Sequence, residues 1–565
     1  MRTSIAAALT GVAVLLAGCS PGPGNDASAP DLLISGGTIY TGLDATPTVG
    51  AVSVKDGRIL ATGAAADLMK TAGPSTQVID LKGAVLYPGF TDAHAHLYGI
   101  GERELTLNLD HVASIAELVK VVGEAAEKAP AGQTLQGRGW IETHWPEARF
   151  PTRQDLDPVT GDRPVVLTRA DGHALVANTA ALKAAGIDGK PTSQPDGGRI
   201  EVDKQGLPTG MLIDNAMGLL ASLSSKPSDA YIDHAYEVGA VREAKLGWTG
   251  VHNMSVPGAD IARLKALSAA GKLPLRVYNA VEGTDAGDFS PDMFSYPDGA
   301  LVTTRAIKLY MDGALGSRGA LLEAPYSDRP DISGLQRMHE EPTLALLKRA
   351  YDAGIQVCIH AIGDKGNQLA LDWMEKTFET VPPEERKARD PRWRIEHSQI
   401  LRPEDIPRFA QLGVIPSMQP SHAIGDLYFA PARLGEDRLK GAYAWRSLID
   451  AGSIIPGGSD APVEQGDPRI EFYAAVARKD LNGNSGPDWH PEQKVTRAEA
   501  LKMFTAWPAY ASFREKDLGA IEPGKLADFT GFSADIMTIP EAEILTVQPV
   551  LTVVGGKVTW QAPAA

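Results

Sequence analysis

The chain has 565 residues, 43% of them apolar and 22% charged, the balance of a folded globular protein and not of a disordered one. Its formal net charge of −16 repels a polyanion, which argues against nucleic acid as a partner. This length exceeds one ordinary core unless that core is a large barrel with insertions, and 58 glycines and 40 prolines imply many tight turns between short elements.

Along the chain, Arg2 and the apolar run from Ile5 to Leu16 form a segment too short to span a bilayer permanently. It ends in Leu16-Ala17-Gly18-Cys19, followed by Pro/Gly/Ser-rich residues. The pattern resembles a bacterial lipobox. Residues 1–19 are then expected to be a lipoprotein signal peptide, Cys19 the acylated N-terminus, and 20–30 a flexible tether. The expected location is outside the cytoplasm, on a membrane through a lipid anchor, facing the periplasm or cell exterior. An ordinary secretory signal with an incidental cysteine is the alternative. Cys358 is the only other cysteine, so no disulfide framework follows.

Short strands with glycine turns come next: Leu32–Ile34, Thr38–Tyr40, a hairpin over Ala51–Ala61 with Asp56-Gly57 at its tip, Gln77–Asp80 and Ala84–Tyr87. They are too few to bury both faces. Strands after Ile521 and over Pro549–Val558 supply the rest, so 31–89 and 511–565 are expected to form one composite β-sandwich. Separate small domains are the alternative.

Residues 90–510 alternate helices with apolar strands, the clearest at Val165–Leu167, Gly250–His252, Ala306–Tyr310, Gln356–His360, Arg394–His397, Val414–Ser417 and Ile454–Gly457. Repeated βα units imply a parallel sheet with right-handed crossovers, and eight would close an α/β TIM-type (β/α)8 barrel whose site lies at the C-terminal strand ends. Residues 137–214 read as an inserted α/β subdomain over the barrel mouth.

The sharpest local feature is Pro88-Gly89-Phe90-Thr91-Asp92-Ala93-His94-Ala95-His96. Histidines at i and i+2 on a strand point the same way, about 7 Å apart at Cα, and can share one metal ion. His360, His397 and Asp460 each end an apolar stretch, where barrel catalytic residues belong. Lys308 interrupts the strand Ile307–Met311. An inward lysine is costly unless paired, depressed in pKa or chemically altered. It is therefore either a carbamate ligand made with CO₂ or the partner of Asp312 or another acid.

The order His94-x-His96, Lys308, His360, His397, Asp460 resembles the amidohydrolase superfamily, and more narrowly its amidohydrolase-3 group of N-acyl and N-formyl amide hydrolases. The similarity runs through Gly137-Arg138-Gly139-Trp140, Asp171-Gly172-His173-Ala174, Lys308 to Arg318 and Gly458-Ser459-Asp460-Ala461-Pro462. It implies one or two divalent metals, usually zinc. His94, His96 and Asp460 would hold the first, and carboxylated Lys308 would bridge to a second on His360 and His397. It further implies a small-molecule amide substrate, a metal-activated water and Asp460 as general base. A homodimer is among the expected states.

Trp140, His173 and Arg318 are candidate substrate contacts on glycine-rich loops, with packing, turn-capping and ion pairing as their alternatives. His252 is expected behind the site, and Cys358 as barrel filler. His111, His144, His234, His339, His422 and His490 have no spacing that demands a role, and His422 is the one to test. The function expected is hydrolysis of an amide, N-formyl or cyclic-amide C–N bond. Ester, lactone or dipeptide hydrolysis at the same site, or a metal-binding lipoprotein without turnover, are the rivals.

Overall fold

A computed structural model describes residues 28–563 except 45, 111, 131, 224–226, 386–389 and 487–488. The leader, Cys19 and most of the tether lie outside the described residues, as does His111.

Seven parallel strands form the barrel, in the order Phe90–Ala95, Trp248–Val256, Arg276–Glu282, Val302–Tyr310, Gln356–Ala361, Arg394–His397 and Ile415–Ser417. Strand Arg276–Glu282 was not expected from the sequence, and Val165–Arg169 belongs to a different sheet. The eighth position is filled by a segment without regular strand pairing. Gly457 bridges Met418 on one side, while the Ala93 amide donates to Gly457 O at 3.0 Å and the Asp460 amide to His94 O at 2.6 Å on the other. Glycine is needed there because a Cβ on Gly458 would sit 2.4 Å from the His94 nitrogen.

Period-two alternation decides what faces the barrel axis. Met254, Tyr278, Ala280, Ala306 and Cys358 form a small buried cluster of their own. Ile307, Val357, Ile359 and Ile395 point the other way into the large core shared with the surrounding helices. Those helices start and stop where side-chain chemistry dictates. In Asp229–Leu246, Ser228 accepts the Tyr231 amide at one end, and Gly247 takes φ 110° at the other.

Both termini contribute to a single eight-stranded sheet, with Phe529–Phe532 pairing antiparallel to Val85–Pro88. This differs from the expected two-sheet sandwich. The sheet bends over on itself: a Cβ on Gly57, in one hairpin, would sit 2.9 Å from Gly555 O in another, and one buried cluster fills the fold. It docks under the N-terminal strand ends. There Phe90 packs 5.7 Å from Phe532 and 6.1 Å from Phe504 between ring centroids, and Arg276 pairs with Asp528 at 2.6 and 2.9 Å.

The third sheet, six strands from Leu107–Asn108 to Pro208–Asp214 with its own core, is the inserted subdomain. It begins ahead of residue 137. Its first strand spans two residues paired with Gly137 and Arg138, too short to leave a periodic signal.

Candidate metal centre

His94, His96, Lys308, His360, His397 and Asp460 converge at the C-terminal rim. The ligand atoms of His94, His397 and Asp460 lie within 4.8 Å of one another. His96 Nε2 is 3.1 Å and His94 Nε2 3.5 Å from Asp460 Oδ1. The His360 and His397 ring centroids are 4.5 Å apart. Lys308 Nζ is 3.4 Å from His94 Nε2.

Two ligands owe their position to backbone that leaves the strand pattern. Alternation would turn His397 to the outer face beside Ile395. A φ of 75° at His397 breaks the strand, and its ring centroid ends 4.9 Å from that of His94. Asp460 has a φ of 59°. Such strain persists where surrounding structure fixes it, commonly at functional sites.

The proton inventory indicates what the site accepts. His94 Nδ1 donates to Glu396 at 2.6 Å, His96 Nδ1 to Met254 O at 3.2 Å and His397 Nδ1 to Gln419 Oε1 at 2.8 Å. Each therefore turns its Nε2 inward. His360 Nε2 faces Gly313 O at 3.5 Å and Asp312 at 3.4 Å, so its Nδ1 carries the lone pair. Burial pulls His94 down to about 4 and holds His360 and His397 well below the ordinary imidazole value, keeping them neutral. The neutral imidazoles of His94 and His397 and the Asp460 carboxylate meet here, with His96 and His360 beside them. That donor set fits a divalent cation.

Glu396, a residue sequence reasoning passed over, anchors this arrangement. It is fully buried, paired with Arg394 Nε at 2.8 Å, and accepts the hydrogen bond from His94 Nδ1. Two charged residues at i and i+2 within a buried strand were the available signal. Arg394 also donates to His252 Nδ1 at 2.9 Å, placing His252 behind the ligands. Asp312 is not the partner of Lys308, because its carboxylate accepts the amides of Leu321, Ile362 and Gly363. Burial lowers the Lys308 amine from its ordinary value.

The three expected substrate contacts part company. His173 lines the site, its ring centroid 5.0 Å from His360 and its Nδ1 2.6 Å from Asp214. Trp140 does not: it ends a strand, is fully buried in the core of the inserted subdomain, and donates Nε1 to Leu167 O at 2.8 Å. Arg318 does not either, since its guanidinium is paired with Asp328 at 2.7 and 3.2 Å. His422 stands closer to the chemistry, its Nε2 3.7 Å from Asp460 Oδ2. His339 and His490 pair with Asp196 and Glu492 at exposed positions.

Two cavities meet at this rim. One of about 700 Å³ carries Tyr98, Met217, Ile232, Tyr236, Met254 and Val256 on its wall. The other is about 270 Å³. Both touch His173, His360, His397 and Asp460.

Comparison with known proteins agrees with this geometry. The Amidohydrolase family profile matches residues 77–560. Putative amidohydrolase YtcJ of Bacillus subtilis is 36% identical over 93% of this chain and 98% of its own length. N-substituted formamide deformylase of Arthrobacter pascens is 29% identical over 94% and 98%. Among solved structures, an uncharacterized metal-dependent hydrolase from Pyrococcus horikoshii superposes with a TM-score of 0.71 at 27% identity, covering 90% of this chain and 99% of that one. With a parallel barrel, a metal-ready rim and a family match over most of its length, this chain belongs to the amidohydrolase family and is a metal-dependent hydrolase acting on C–N bonds.

Proposed function

We propose that this chain hydrolyses an amide, N-formyl or cyclic-amide bond of a small molecule, with zinc as the resident metal. The observation that carries the reading is the convergence of His94, His397 and the Asp460 carboxylate, with His96 and His360 beside them, at the barrel rim. The name of the Arthrobacter pascens relative supports an N-formyl or N-acyl substrate.

His94, His96 and Asp460 would hold one cation, and His360 and His397 a second, with Lys308 between them as a carbamate. A cation held there supplies a Lewis acid that brings the pKa of water down to ~7. Asp460 accepts the proton of the attacking water and returns it to the departing nitrogen. Glu396 and Gln419 fix the ring orientations of His94 and His397, so the ligands need no rearrangement during the reaction. The walls of the larger cavity exclude water from the acyl or amine substituent.

The test is hydrolysis of a panel of N-formyl and N-acyl amines. Asp460→Asn should lower kcat by about a thousandfold, the scale of general acid–base catalysis. Lys308→Ala should lose metal and activity together, and short carboxylic acids added with metal should restore part of both. Full turnover by Asp460→Asn would refute the mechanism.

A further inference from the structure

The smaller cavity has a lining the hydrolytic chemistry does not use. Asp426 and Glu464 both border it, and neither is in salt-bridge contact with a lysine or arginine among the described residues. Asp426 accepts only neutral donors, Gln399 Nε2 at 2.6 Å and the Tyr443 hydroxyl. Glu464 has His422 Nε2 at 3.9 Å. Arg169 lines the same cavity, but its charge is matched by Glu142 at 2.8 Å and by Asp171. One buried side chain adds an unanswered acceptor: Gln399, 3% exposed, leaves Oε1 without a hydrogen-bond partner among the described residues. Burial pushes the Asp426 carboxyl up to about 7, the nearby Arg169 guanidinium pulling the other way, and raises the Glu464 carboxyl well above its ordinary value.

The lining is thus rich in acceptors and short of donors. A buried amide oxygen or carboxylate left unmatched is costly, so such a surface selects a ligand bearing several N–H groups and a positive charge. The cavity reaches the metal rim through His360, His397 and Asp460. A group seated in it is therefore one side of the molecule whose C–N bond is cut.

We propose that the smaller cavity receives a short cationic arm of the substrate, an alkylammonium or amidinium, held by Asp426, Glu464 and Gln399 Oε1. The bulkier, less polar part occupies the larger cavity. This rests on the amide-hydrolase reading above and names the substrate class for it: an amide with a bulky apolar substituent on one side and a short basic chain on the other.

The test compares isosteric pairs with the metal-replete enzyme. On the amine side, N-(4-aminobutyl)benzamide is set against N-pentylbenzamide. On the acyl side, the benzylamide of 4-aminobutanoic acid is set against that of pentanoic acid. In at least one pair the cationic amide should be favoured in kcat/KM by about tenfold or more, the scale of a charge-assisted contact. Asp426→Asn and Glu464→Gln should bring that ratio towards one. Equal use of both members of each pair, or a preference that survives both substitutions, would overturn the proposal. Binding of n-butylammonium, followed by calorimetry, keeps the test separate from the amide-hydrolase reading. If no amide is cut but n-butylammonium binds the wild type and fails to bind Glu464→Gln, the cation site stands and the amide reading fails. No binding by the wild type, with no cationic preference, removes the site.

Discussion

Glu396 shows how much of the centre depends on a residue that binds no metal. Buried between Arg394 and His94, it holds the His94 proton on Nδ1 and so turns Nε2 towards the site. Removing its charge while keeping its shape should leave the fold intact and free the imidazole to change tautomer. Glu396→Gln is expected to weaken zinc binding by about ten- to a hundredfold, the usual scale for a partner behind a metal ligand. Competition with a chromogenic chelator checks this, and unchanged affinity would show that the carboxylate serves only Arg394. Asp92 plays a comparable part on the backbone, accepting the amides of His94 at 3.0 Å and Ser459 at 2.9 Å and so tying the first ligand loop to the last.

Elements explain what was and was not legible in the sequence. His94, His96, Lys308 and His360 could be found because each interrupts or ends an apolar strand, and a barrel brings such positions to one rim. Gly139 misled the reading of Trp140, since a glycine-rich stretch looks like a loop. In the fold, Gly139 takes φ 117° and a Cβ there would meet Asp110 Oδ1 at 2.0 Å, so the glycine serves a close approach within a strand edge. Trp140→Ala should therefore cost about 3–5 kcal/mol, the range for emptying a fully buried indole site, and leave KM for substrate unchanged. Thermal unfolding and steady-state kinetics distinguish this from a substrate contact. The cavity-lining carboxylates Asp426 and Glu464 were not legible at all. Asp426 ends the short helix Pro420–Asp426 and Glu464 lies in the turn that follows Asp460, where no period marks a face. Arg318 was legible as a cation in a loop, but its pairing with Asp328 is a contact between two turns that no spacing announces.

At the scale of the whole molecule, stability and chemistry occupy opposite ends of the barrel. The terminal sheet closes the bottom through Phe90, Phe532 and the buried Arg276–Asp528 pair, and the inserted subdomain supplies His173 and Arg138 to the cavity at the top. No helix among the described residues is long and apolar enough to cross a membrane. We propose that the protein is attached to a membrane through acylation of Cys19. Cys19→Ala should abolish metabolic labelling with palmitate and move the protein from the membrane to the soluble fraction, and persistent labelling would contradict the lipobox reading. The most direct test of the metal centre is to strip the purified protein with a strong chelator, determine residual metal by elemental analysis, and measure amide hydrolysis before and after zinc is returned. Activity should fall in step with metal lost and recover on reconstitution, whereas undiminished hydrolysis by protein shown to be free of metal would contradict the account.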